Sequence, residues 1–137
     1  MIVVSTELVA ALYVPGELTP VAEGVLRRDP AWASPMIWRA LLPLHLTPAI
    51  RSGSLSGEAV AQIVAAAPRL FLGREFPAPL ENNMEIVLGS SCSALMAPFL
   101  TLARGLRLRL VTTDPDALAG FPDVAVAAAA FAGSKAP

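Results

Sequence analysis

The sequence predicts an α/β domain, a three-layer α/β/α sandwich around a central, mainly parallel sheet. Three observations carry that expectation. The chain opens on Ile2, Val3 and Val4, a β-branched run that empties into Ser5 and Thr6, as a strand buried on both faces does on reaching its loop. A second strand-like stretch, Leu106 to Val111, also ends in small polar residues, Thr112, Thr113 and Asp114. Between the two lie segments of helical spacing, and strands separated by helices pair in parallel with helices on both faces.

Each element follows from its residues. After the first strand, Leu8 to Val14 has helical character and Pro15-Gly16 ends it. Thr19 and Pro20 supply an N-cap and a first-turn proline for a second helix through Arg27, which Asp29-Pro30 closes. Trp32 to Met36 reads as a short strand. Ile37 to Arg51 has helical spacing but contains Pro43 and Pro48, each lacking an amide donor, so a kinked or broken helix is expected. Ser56 followed by Glu58 starts the clearest amphipathic helix, with Val60, Ile63, Val64 and Ala67 on one face and Pro68 interrupting its later turns. Phe71 to Leu80 reads as a connector and Asn83 to Leu88 as a helix. Ser91 or Ser93 is placed to cap the next helix through Arg104, with Gly105 as its left-handed end. A short helix at Asp116 to Ala119 and a small strand at Val124 to Val126 complete the order.

Composition sets the limits. The chain has 137 residues, 55% hydrophobic and 15% charged, which excludes a disordered chain and fits one core. Residues 1–132 are expected to form one domain and 133–137 a frayed tail. Ten Lys and Arg against 11 Asp and Glu leave a net charge of −1, so no global field draws the chain to nucleic acid or anionic lipid. The lone Cys92 excludes a disulfide framework or a multi-thiolate metal site within the chain. A reducing, cytoplasmic setting fits that usage, and the start MIVVSTE lacks the basic segment of a secretory signal. The uncharged run Ile86 to Ala103 includes Gly89, four residues from Ser90 to Ser93, and Pro98; it reads as a loop entering a buried helix rather than a membrane span.

Ligands of parallel sheets collect beyond the carboxyl ends of the strands. If the two main strands are neighbours, those ends bring Glu7, Asp114 and Asp116 together, the one carboxylate cluster the sequence offers. Each acid also has a plainer role: Glu7 and Asp116 as first-turn carboxylates favoured by a helix dipole, Asp114 as the cap of the helix after Pro115.

The succession MIVVSTELVAALYVPGE, DPAWASPMIWRALL, LSGEAVAQIV and SSCSALMAPFLTLARGLRLRLVTTDPDALAGFPDVAV resembles a PIN domain of the VapC toxin type over nearly the whole chain. The resemblance implies a ribonuclease fold in which four acids hold one or two Mg²⁺ or Mn²⁺ ions that activate water and neutralise phosphate charge. The first acid falls here on Ser5, the second on Leu41 after Trp38-Arg39-Ala40, and the third on Met96. Asp114 alone keeps the family's acid, and Thr6 keeps the hydroxyl that usually follows the first. Leucine and methionine offer a hard cation nothing, so the resemblance implies a weak or empty metal site at Asp114. It further implies Trp38 and Arg39 packed beside the pocket with Thr6, homodimers, and a cognate antitoxin near the Leu41 to Leu46 helix. RNA is a partner only if activity persists. The expectation is an inactive or strongly impaired ribonuclease acting as a protein-binding module of toxin–antitoxin type. The alternative is an active Mg²⁺-dependent endoribonuclease using Glu7, Asp114 and Asp116. Prolines 43, 68 and 98 fall in the family's helices, and each costs about 3 kcal/mol unless a kink or boundary absorbs it.

The remaining reactive residues lack partners at motif spacing. His45 is the sole histidine and is expected to be a partly buried imidazole. Cys92 lies near a helix start with no redox partner and reads as structural. Arg104, Arg107 and Arg109 form either a local phosphate-contacting strip or the solvent side of a strand; no aromatic residues interleave for base stacking.

Overall fold

The computed structural model describes residues 1–133. Five short strands form one sheet in the order β3-β2-β1-β4-β5, every neighbouring pair parallel. The strands are β1 (Ile2–Val4), β2 (Trp32–Pro35), β3 (Glu75–Phe76), β4 (Leu110–Thr112) and β5 (Ala125–Ala127). Val3 pairs with Ala33 on one side and Leu110 on the other, so β1 is central, as its β-branched run requires.

Alternation along the strands divides the core in two. Ile2, Val4, Trp32 and Val111 face a layer built from α1 (Thr6–Tyr13), α2 (Thr19–Arg28), α3 (Trp38–Arg51), α4 (Gly57–Ala66) and α8 (Ala128–Gly133). Val3, Ala33, Leu110 and Ala125 face α5 (Leu80–Gly89), α6 (Ala97–Leu106) and α7 (Pro115–Gly120). This is the expected α/β/α sandwich with a parallel sheet. No helix among the described residues is long and apolar enough to cross a membrane.

Several local expectations are corrected. α3 runs unbroken through Pro43 and Pro48. Both prolines lie on its exposed side, where water can reach the carbonyls left without a donor. Pro68 and Pro98 sit in the first turn of a 3-10 segment (Ala67–Phe71) and of α6, where no amide is required. α6 continues past Gly105 to Leu106, and Arg107 takes the left-handed cap at φ 56°. Leu108 then donates to the Ala103 carbonyl at 2.9 Å and packs on the core, so the strand begins only at Leu110. The connector from Phe71 to Leu80 holds the two-residue edge strand β3, and α5 starts at Leu80 rather than Asn83. α8 was unforeseen; it packs on α2 at Gly24, where a Cβ would lie 2.9 Å from that of Ala132. Gly133 closes α8, and the rest of the expected tail, 134–137, lies outside the described residues.

Candidate functional site

In this strand order the chain turns outward from β1 towards β2 and then crosses back to β4, so the switch point lies between β1 and β4. A cleft of about 460 Å³ opens at their carboxyl ends. Its polar side is Thr6, Glu7, Thr113 and Asp114; its opposite wall is Leu41, Leu44, Leu95, Met96 and Phe99, with His45 and Ser93 on the rim.

Glu7, in the first turn of α1, reaches across to the end of β4. Its Oε1 accepts from the Ser5 hydroxyl at 2.5 Å, the Thr113 hydroxyl at 2.9 Å, the Thr113 amide at 3.0 Å and the Thr112 hydroxyl at 3.3 Å. Ser5 Oγ and Thr112 Oγ1 lie 2.9 Å apart, both fully buried. One carboxylate oxygen thus ties β1 to β4 with neutral donors and no cation. Asp114 caps α7: its Oδ2 accepts from the Ala117 amide at 2.8 Å, while its own amide donates to Thr112 Oγ1 at 3.1 Å. The buried Thr6 hydroxyl has no hydrogen-bond partner among the described residues.

Glu7 and Asp114 therefore share the cleft. Asp116 does not line it; exposed on α7, it accepts a 3.4 Å hydrogen bond from Ser91. Ser5 is fully buried and does not line the cleft, meeting it only through its bond to Glu7, and Leu41 and Met96, the positions matched to the second and third acids, are among the apolar lining residues. Trp38 and Arg39 lie outside the cleft, because Arg39, Leu42 and Leu46 fall on one flank of α3 and Leu41 and Leu44 on the other. Trp38 Nε1 donates to Glu75 at 3.0 Å, and Arg39 grips the same carboxylate through two 2.8 Å bonds. Those Arg39 bonds, with the Trp38 bond and the guanidinium charge adding to them, hold the Glu75 carboxyl below its usual range.

Three basic residues read as a strip diverge. Arg104 stacks over Phe121, Arg107 caps α6, and Arg109 donates to the Val124 carbonyl at 3.2 Å. Cys92 is buried, and burial pushes its thiol up, which suits packing rather than nucleophilic attack. His45 departs from expectation: it is exposed on the cleft rim, one helical turn beyond Leu41. The i, i+4 relation to Leu41 was the available signal, since it puts both on neighbouring turns of one face.

Among the described residues no three His, Cys, Asp or Glu side chains converge as a metal-holding group. The donor chemistry agrees with that arrangement: a hard divalent ion takes carboxylates, whereas beside Glu7 and Asp114 the cleft offers hydroxyls and a thioether, and one oxygen of Glu7 already accepts four hydrogen bonds. The residues present do not fit such an ion. No protein-family model matches the chain, and no curated protein matches it.

Proposed function

We propose that the chain is a degenerate PIN-like domain of the VapC type, inactive or strongly impaired as a metal-dependent ribonuclease, that acts by binding a partner protein through its cleft. The observation that carries this reading is the apolar wall. Leu41 and Met96 occupy two positions where the resemblance expects acids, and they line the cleft together with the apolar Leu44, Leu95 and Phe99. Such a surface favours the apolar side chains of a protein segment over a polyanion, which two unneutralised carboxylates repel. An antitoxin-like peptide is the partner that the family resemblance suggests, in a cytoplasmic, homodimeric toxin–antitoxin-type assembly.

Glu7 and the hydroxyls then serve the scaffold rather than a reaction. The carboxylate accepts from Ser5 and Thr113 and fixes the two strand ends that frame the cleft. Asp114 fixes the start of α7 beside them.

A second reading draws on the meeting of Glu7 and Asp114 in one cleft: an Mg²⁺-dependent endoribonuclease with a rearranged site. An RNA cleavage assay separates the two. The binding reading expects no metal-dependent cutting by the wild-type chain and new cutting by the triple variant Ser5→Asp, Leu41→Glu, Met96→Asp. Wild-type cutting abolished by Asp114→Asn would replace it with the second reading.

A further inference from the structure

A second cavity, of about 310 Å³, lies where the first turn of α5 meets the last turn of α6, and it shares no residue with the cleft. Pro79 and Ile86 give it an apolar side; Asn82, Glu85, Thr101 and Arg104 supply its polar side chains. None of these four side chains makes a hydrogen bond or ion pair with any described residue. Asn82, Glu85 and Arg104 are exposed, and water accounts for them. It does not account for Thr101, only 8% exposed, whose Oγ1 is shut off from bulk solvent and stands unpaired. A helical threonine can turn its hydroxyl to the carbonyl one turn behind, and leaving the group bare costs about 1–3 kcal/mol. The cavity that Thr101 lines is where a partner can reach it.

Two opposite charges line this cavity without meeting. Glu85 and Arg104 form no ion pair, and the Arg104 guanidinium instead lies 5.2 Å over the Phe121 ring. The backbone repeats the pattern. α5 brings the positive end of its dipole, with no side chain capping its first amides, and α6 brings its negative end. Glu85 repels a simple anion and Arg104 a simple cation, and no aromatic ring lines the cavity to stack a nucleobase.

We propose that this cavity binds a small zwitterion, a free α-amino acid with an apolar side chain. The carboxylate goes to Arg104 and the first amides of α5, with the Asn82 amide beside them. The ammonium donates to Glu85 and to Thr101 Oγ1, and the side chain packs on Pro79 and Ile86. Holding both charges between opposite groups selects against molecules that carry one alone. Glu81, the other acid of α5, does not line the cavity.

Titration of the isotope-labelled full chain with L-valine, followed by its amide NMR shifts, tests this. Isovalerate and isobutylamine, which each keep the side chain and one of the two charges, are the comparisons. Valine should move the amides of Asn82, Glu85, Thr101 and Gly105 saturably, with a Kd at or below about 1 mM. Those of Thr6 and Thr113 in the cleft should stay still, so the result is independent of what the cleft binds. The two comparison compounds should bind about tenfold or more weakly. Glu85→Gln and Arg104→Gln alter exposed side chains, should leave the rest of the spectrum unchanged, and should each weaken valine about tenfold. Gly105→Leu, at a position where a Cβ meets nothing within 4 Å, should fill the cavity and abolish binding. No saturable shift up to about 10 mM valine overturns the proposal, as does isovalerate binding as tightly as valine, the mark of an anion site only. Valine affinity unchanged in both Glu85→Gln and Arg104→Gln also overturns it.

Discussion

Two glutamates, on opposite sides of the central strand pair, show two ways to hold a carboxylate. At the β1–β4 crevice Glu7 is bound by hydroxyls and an amide, all neutral, and all through Oε1. At the β2–β3 edge Glu75 is bound by a guanidinium in two-point contact and by an indole. The first arrangement leaves a net negative charge in an open cleft; the second neutralises the charge and ties the edge strand β3 to α3. A carboxylate in a cleft is therefore not evidence of catalysis here, since the same geometry is what the strand ends need to stay together.

The contrast can be broken from either side. The largest effect is expected at the β3 edge, where Trp38→Ala removes a buried indole tilted 4.8 Å from Phe71 and the Glu75 bond with it. A loss of about 3–5 kcal/mol is expected in denaturant unfolding. Next comes Glu7→Ala, which leaves the buried Ser5 and Thr112 hydroxyls without their carboxylate acceptor, at about 1–3 kcal/mol. Glu7→Gln keeps an acceptor and should cost less in the same measurement; equal losses would mean that charge, not hydrogen bonding, holds the strand ends. Asp114→Ala removes the cap of α7 for about 1 kcal/mol, and Asp114→Ser should recover most of it.

The smallest effect is one of pH. The Glu75 carboxyl is held below its usual range, chiefly by the Arg39 hydrogen bonds. A depressed folded value means its contribution is present above the ordinary carboxylate range and is lost as pH falls through the folded value. Thermal midpoints of wild type and Glu75→Gln should thus differ at neutral pH and converge in acid. A gap that persists in acid would show that the contact does not depend on ionisation.

Much of the fold was legible because its signals are local and strong. The β-branched run of β1, the Ser56 cap that accepts from Ala59, and the Asp114 cap before Pro115 each report their element directly. β3 was not legible, since two residues carry no periodicity, and neither was α8, whose alanines mark no face. At the site, the sequence brought Glu7 and Asp114 to one crevice but not the rotation of α3. That rotation, set by Trp38, Leu42 and Leu46 packing inward, turns Arg39 away from the cleft and leaves His45 at its rim. Tertiary packing decides such a rotation, and helical spacing alone does not.

We propose that the cleft is built for contact rather than for a metal-bound phosphate. Calorimetric titration of the wild-type chain with Mn²⁺, alongside Asp114→Asn, tests it most directly. The account predicts no saturable heat up to about 1 mM metal for either protein. Saturable binding by the wild type that Asp114→Asn abolishes would contradict it.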